Sequence, residues 1–241
     1  MRLTDFTTLT FDCYGTLIDW ESGIVGALEP WAQRAGLVAG REDLLRAFGR
    51  HETRIQRAHP AMRYPELLGE VLRAAAADLG VVPSAEDAAA FGASVGDWPP
   101  FPDSPEALRY LKRHYRLVVL STVDRASFRR SNDRLGVEFD AVVTAEDVGS
   151  YKPDPNNFRA LLARLGEMGI GPREVLHTAQ SLYHDIRPAK ELGLATCWID
   201  RRGPKGGGAT PPVEGAEPDF IFPTLGAMAE AHRRELASGG G

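Results

Sequence analysis

From Pro102 onward the sequence alternates short β-branched runs with segments of helical periodicity, and this alternation constrains the fold more than any other feature. It predicts helix 104–114, strand 116–122, helix 125–135, strand 140–144, helix 155–166, strand 174–179, helix 186–192 and strand 195–200. A Gly/Pro-rich loop then covers 203–218, a short strand 219–222 follows, and a helix 225–237 ends the chain. Repeated strand–helix units argue for a parallel sheet with helices on both faces. Residues 7–14, Thr-Thr-Leu-Thr-Phe-Asp-Cys-Tyr, add one more strand, stopped at Gly15. Between it and the alternating region, from Ile18 to Trp98, segments such as 42–58 and 65–80 carry helical spacing and no convincing strand. Pro60, Pro65 and Pro83 break that stretch into several helices. The expected architecture is a doubly wound α/β core of residues 1–16 and 100–241, with a helical domain, 17–99, inserted after the first strand. The hinges fall near 17–20 and 97–102. Residues 203–212 read as a mobile surface loop and 239–241 as a frayed tail.

Bulk properties exclude several classes. Twenty-eight basic against 33 acidic residues leave a net charge of −5, which does not favour nucleic acid. Arg46, Arg50, Arg54 and Arg57 share a helical spacing but are interrupted by acids, as on a solvated face. Two distant cysteines, Cys13 and Cys197, make no disulfide framework and fit a reducing compartment. Met1-Arg-Leu-Thr-Asp has no apolar signal core, and no run reaches membrane-spanning length. The expectation is a cytoplasmic protein with neither membrane nor nucleic-acid partners.

In open α/β sheets, ligands bind beyond the carboxyl ends of the strands. Asp12, Ser121-Thr122 and Gln180-Ser181 lie at such ends, Lys152 follows the strand at 140–144, and Asp185 opens the helix after 174–179. Singly, each has an ordinary explanation as a turn cap, a local backbone bond or a solvated charge. Together, at successive strand ends, they form a chemical constellation. A carboxylate nucleophile, Asp12, needs a cation to keep it ionised, and Lys152 can supply one. The amides after Asp12 and the Ser121 hydroxyl can hold an anionic group. Asp185 can pair with Lys152 or help activate water. Cys13 points to the opposite strand face from Asp12 and reads as core, as does His177. Trp20, Trp98 and Phe101 lie at the hinge, where walling a pocket and packing the hinge are equally open readings. The scattered histidines show no metal-ligand spacing.

Phe11-Asp12-Cys13-Tyr14-Gly15-Thr16-Leu17, Leu120-Ser121-Thr122, Tyr151-Lys152-Pro153-Asp154-Pro155 and the later Asp185 resemble the four motifs of the haloacid dehalogenase superfamily. The ordered set spans essentially the whole chain. Within the superfamily it is most similar to the type II (S)-2-haloacid dehalogenases. Asp-Cys-Tyr-Gly-Thr-Leu-Ile-Asp-Trp and Ser-Leu-Tyr-His-Asp further suggest a branch that includes (S)-azetidine-2-carboxylate hydrolase. The resemblance implies a Rossmann-like core with a mobile helical cap, and dimers occur in related dehalogenases. Magnesium-dependent phosphatases of the superfamily carry a second Asp two residues after the nucleophile, where this chain has Tyr14. They tend to carry an acid five residues before the last motif's Asp, where this chain has Gln180. A phenol is a poor general acid, and an amide is a poor ligand for a hard cation. Both departures point to chemistry at carbon without a cofactor; Mg²⁺ is expected only for a phosphatase.

The implied reaction is displacement at C2 of a small 2-substituted carboxylic acid by Asp12, giving an aspartyl ester. Water near Asp185 then releases a 2-hydroxy acid with inverted configuration. Lys152 and Ser121 hold Asp12, and amides near Cys13–Tyr14 and Ser121–Thr122 receive the substrate carboxylate. The dehalogenases usually have Asn in place of Thr122, and Ser and Asn in place of Gln180 and Leu182. A cap arginine normally helps bind the halide; Arg50 is the candidate, with Arg46 and Arg54 as alternatives. A ring amine as leaving group requires a proton donor instead, and His184, Tyr183 or Glu52 are available without the sequence choosing among them. A phosphatase with a degenerate acid and a non-catalytic binding protein on the same fold are the rival readings.

Overall fold

The apolar runs of the sequence become the strands of one parallel sheet in the structure, a computed structural model that describes residues 1–203 and 215–239. The strands are β1 (Thr8–Phe11), β2 (Arg116–Ser121), β3 (Ala141–Thr144), β4 (Val175–Ala179), β5 (Ala195–Ile199) and β6 (Phe220–Phe222). Their order is β3-β2-β1-β4-β5-β6, all neighbours parallel. Every residue of β1 and β4 is buried, as the continuous apolar runs of a sheet covered on both faces require. The chain steps outward from β1 to β3, then returns to β4 on the other side of β1. The connections therefore diverge between β1 and β4, the point where such folds place their ligands.

The helices are α1 (Trp20–Arg34), α2 (Arg41–Ala58), α3 (Tyr64–Asp78), α4 (Ala85–Ala93), α5 (Ser104–Leu111), α6 (Arg125–Leu135), α7 (Ala145–Val148), α8 (Pro155–Glu167), α9 (Arg187–Glu191) and α10 (Leu225–Ser238). Local chemistry sets several ends. The Asp124 carboxylate accepts from the Ala126 and Ser127 amides at the start of α6, and Gly136 closes that helix at φ +63°. The short α7 was not expected; Thr144 caps its start and Gly149, at φ +75°, ends it. The helix expected at 186–192 is also revised. Leu182–Ile186 form a π-helical turn, with the Ile186 amide donating to the Ser181 carbonyl at 3.1 Å, and only Arg187–Glu191 are α-helical. Asp185 thus lies inside a wide turn rather than at a helix start.

Helices α1–α4 all lie between β1 and β2 in the chain. The segments entering and leaving them run side by side. Ile18 bridges antiparallel to Pro100, the Asp19 amide donates to the Pro99 carbonyl at 2.8 Å, and the Phe101 amide donates to the Leu17 carbonyl at 3.0 Å. Trp98 is buried beneath this ladder, and a Cβ on Gly23 would sit 2.2 Å from its ring, so only glycine fits there. One apolar cluster runs from Leu9 and Phe11 through Leu17, Ile18 and Trp98 to Leu45, Phe48 and Leu67. The expected mobile loop (203–212) and frayed tail (239–241) fall largely on residues 204–214 and 240–241, outside the described part. Among the described residues, no helix is long and apolar enough to cross a membrane.

Candidate active site

Asp12 follows the last residue of β1, on the same face as Thr10, because strand side chains alternate. Its carboxylate is almost wholly buried, and both oxygens are engaged. Lys152 Nζ donates to Oδ1 at 2.8 Å, and the Thr16 hydroxyl donates to Oδ2 at 2.6 Å. The same ammonium reaches Asp185 Oδ1 at 2.6 Å and the Leu120 carbonyl at 3.1 Å. One lysine therefore bridges two buried carboxylates, in a place where an unpaired charge would be very costly. Burial pushes the Asp12 carboxyl above the ordinary carboxylate range, while Lys152 opposes that rise. Burial alone would raise Asp185 too, but the Lys152 charge and the bonds from His177 and Lys152 hold it below its usual range. Burial works against the Lys152 ammonium, yet the two carboxylates raise its pKa. The result is a desolvated, relatively basic carboxylate held in one orientation, which is what a nucleophile requires.

Two partners were not picked out as site residues in the sequence. Thr16, four residues after Asp12, also accepts the Gln180 amide at 2.9 Å and so ties the turn after β1 to the end of β4. His177, read as core, is fully buried, with Nδ1 2.9 Å from the Thr10 hydroxyl and Nε2 3.2 Å from Asp185 Oδ1. His177 is the register partner of Thr10 on β4, which places it under the carboxylate. Neither residue type nor spacing signals that pairing.

A narrow cleft of about 50 Å³, open at its mouth, faces this cluster. The core contributes Asp12, Tyr14, Thr122, Lys152, Gln180, Ser181, His184 and Asp185 to its lining, and the helical insert contributes Trp20, Glu52, Thr53, Gln56 and Tyr64. Of the expected residues, Asp12, Lys152, Asp185, Tyr14, Thr122, Trp20, Gln180 and Ser181 thus come together. The Trp20 ring meets Phe48 edge-on at 5.8 Å, and Trp98 packs edge-on against Tyr14 at the same distance. Trp98 therefore packs the hinge, while Trp20 walls the cleft. The Tyr14 hydroxyl is turned away to Ser131 Oγ at 2.8 Å, and burial raises its pKa well above that of a free phenol. Cys13 is fully buried, and its thiol does not line the cleft.

Two expected contacts are corrected. The Ser121 hydroxyl does not hold Asp12; it accepts from the Val123 amide at 3.4 Å, and the Leu120 carbonyl takes the third contact of Lys152. Arg50 does not reach the cleft. Phe48 and Glu52 share the inward face of α2, and Arg50 lies about 200° around the helix from each. Its side chain is exposed and meets Asp78 at 3.4 Å. Arg46 pairs outward with Asp43, and Arg54 lines a different surface depression. Arg57 reaches the Tyr183 hydroxyl at 3.1 Å, outside the cleft proper.

Two further titratable groups of the cleft lining behave differently. The Tyr64 hydroxyl donates to Glu52 Oε1 at 2.7 Å and Gln56 Nε2 donates to the same oxygen at 3.3 Å, and among the described residues no cation is ion-paired with this carboxyl group. Burial pushes the Glu52 carboxyl up to about 7. His184, with Nδ1 3.1 Å from Ser181 Oγ, is pushed down by burial to about 4 and is neutral at pH 7. As a magnesium site the cluster is a poor fit. Its two carboxylates already share an ammonium, and no group of three His, Cys, Asp or Glu among the described residues could hold a metal ion.

The chain resembles haloacetate dehalogenase H-2 of Moraxella sp. (strain B), with 32% identity over 133 residues, 54% of this chain and 55% of that protein. The match thus spans only about half of that relative's length. It is 28% identical over 210 residues to (S)-2-haloacid dehalogenase H-109 of Pseudomonas putida, covering 81% of this chain and 86% of the relative. The fold matches the crystal structure of a defluorinating L-2-haloacid dehalogenase with a TM-score of 0.79 at 22% identity, over 97% of this chain and 99% of the other. The family model of the haloacid dehalogenase-like hydrolases covers residues 6–193, most of the chain, so this protein belongs to the haloacid dehalogenase-like hydrolases.

Proposed function

We propose that this protein displaces the C2 substituent of a small 2-substituted carboxylic acid, with Asp12 as covalent nucleophile. The observation that carries the reading is the Asp12 carboxylate facing the cleft, fixed by Lys152 and Thr16, while the Tyr14 hydroxyl is committed to Ser131. Tyr14, two positions from Asp12 where phosphatases of the superfamily carry their acid, has its hydroxyl on Ser131 and its pKa raised by burial, so it cannot serve as one. Attack at carbon needs only a desolvated, oriented carboxylate. Asp12 bonds to C2 from behind the leaving group, and water then cleaves the ester at the Asp12 carbonyl, so C2 inverts. Asp185, joined to Lys152 and His177, orients that water or receives its proton. Amides of Cys13, Tyr14 and Thr122 receive the substrate carboxylate. Residues 17–99 act as a cap over a core of 1–16 and 100–241, and closure would exclude competing solvent. Cys13 and Cys197, both free and buried, fit a cytoplasmic setting, and a homodimer remains part of this reading.

Halide release from (S)-2-chloropropionate, chloroacetate and fluoroacetate, with and without chelator, tests the reading beside azetidine-2-carboxylate and p-nitrophenyl phosphate. Chelator-resistant turnover of a 2-substituted carboxylate is expected. Mg²⁺-dependent hydrolysis of the phosphate alone would replace this reading with a phosphatase. A single turnover in ¹⁸O-water should leave the label in Asp12 and not in the first product.

A further inference from the structure

We propose that Glu52 is a catalytic proton donor and that the enzyme takes 2-substituted carboxylates whose leaving atom is a nitrogen or oxygen that departs protonated. This rests on Asp12 being the nucleophile and names the substrate class of that same site. Two features of the cleft carry it. Lys152 is the one side-chain cation among the described lining residues, and it is already shared between Asp12 and Asp185. Arg46, Arg50 and Arg54 all lie outside. Among the described lining residues there is therefore no spare positive charge to stabilise a departing halide. In its place the insert presents an acid on the wall opposite the nucleophile.

Three side chains could give such a proton, and the structure separates them. Tyr183 lies outside the cleft with its hydroxyl on Arg57. His184 lines the cleft but is held neutral by burial, and its Nδ1 is engaged by Ser181. Glu52 lines the cleft with neutral hydrogen-bond partners among the described residues, and burial raises its pKa to about 7, so it can still carry a proton in the neutral range. The titratable groups around it are Tyr64 of α3, Tyr151 of the Lys152 loop and Tyr14 after β1. Across the cleft stand Asp12, Lys152, His184 and Asp185.

The step balances. An Asp12 oxygen bonds to C2 as the bond from C2 to the leaving nitrogen or oxygen breaks. The electron pair of that bond goes to the leaving atom, which takes the Glu52 proton. The resulting carboxylate is held by the Tyr64 hydroxyl and the Gln56 amide. Water then adds to the Asp12 carbonyl carbon. Its oxygen stays in the restored Asp12 carboxylate, one proton goes to the 2-hydroxy product, and the other returns to Glu52.

Ring opening of (S)-azetidine-2-carboxylate and chloride release from (S)-2-chloropropionate, assayed on wild type, Glu52→Gln, Tyr64→Phe and Asp12→Asn, test the proposal. Glu52→Gln should lower the ratio of ring-opening kcat to chloride-release kcat by roughly 100-fold or more, the usual range for a general acid. Wild-type ring opening should decline as pH rises through about 7, the range in which Glu52 loses its proton. Tyr64→Phe should move that limb to higher pH, because the Tyr64 hydroxyl bond favours the ionised acid. A merely structural Glu52 would leave the ratio and the limb in place, and either result overturns the proposal, as does wild type that cannot open the ring. Activity persisting in Asp12→Asn would remove the nucleophile, and both readings with it. Asp12-dependent chloride release without Glu52-dependent ring opening would remove the proton donor alone.

Discussion

The two walls of the cleft bury carboxyl groups in opposite ways. On the sheet side, Asp12 and Asp185 share the Lys152 ammonium. On the α2 side, Glu52 meets only a phenol and an amide. A carboxylate with an ammonium within about 3 Å can stay ionised out of water, whereas one offered neutral donors is driven toward its acid form. The contrast teaches that burial alone does not set a carboxyl group's role. Its nearest partner does: here the sheet side sets its carboxyl groups against an ammonium and the helical side against neutral donors, in keeping with the roles proposed above.

The largest break in this contrast should come from Lys152→Met. It leaves two carboxylates in one buried site, so turnover should fall by about 10³-fold or more, and unfolding in urea should show a loss of roughly 3–5 kcal/mol. Asp12→Asn should abolish ester formation, read as no burst and no ¹⁸O in residue 12, while stability changes less because Lys152 keeps Asp185. Thr16→Val removes one hydrogen bond to a charged oxygen. It should lower kcat by about tenfold and cost about 1.5–3 kcal/mol of stability.

Glu52→Gln sharpens the other side through pH. The folded protein binds the Glu52 proton more tightly than the unfolded chain, whose group titrates near 4.5, so this residue lowers stability as pH rises from about 4.5 to about 7. Glutamine carries no such dependence. The variant should therefore gain stability relative to wild type between pH 5 and pH 8, by about 1–2 kcal/mol once solvent screening at the cleft is allowed for. Equal pH profiles in thermal denaturation would show that Glu52 is ionised like any surface acid. The smallest effect is expected for Arg50→Ala. It should change activity less than twofold and stability within about 0.5 kcal/mol, as its partner Asp78 is itself well exposed.

Much of the core was legible because its signals are local. The buried strands announce themselves as β-branched runs, and parallel order follows from the intervening helices. Asp12 and Lys152 then fall near strand ends by counting residues. Arg50 was misplaced because an arginine's spacing says it shares a helix face, not which face turns inward. Ser121 was misassigned because a strand-end hydroxyl can either donate to a neighbouring anion or accept from a local amide, and here it accepts from the amide of Val123. The wide turn at Leu182–Ile186 escaped because its i to i+5 bonding has no distinct residue pattern.

The sequence by itself determined the α/β order, the position of the helical insert and the set of charged residues at the sheet's carboxyl end, since all three follow from periodicity and residue type along the chain. Only the tertiary structure decided which partner each of those residues has. Lys152 lies 140 residues from Asp12, and Tyr64 comes from a different helix than Glu52. Protonation state depends on distances of a few ångströms in a dry site, and those distances exist only after the strands and helices have packed.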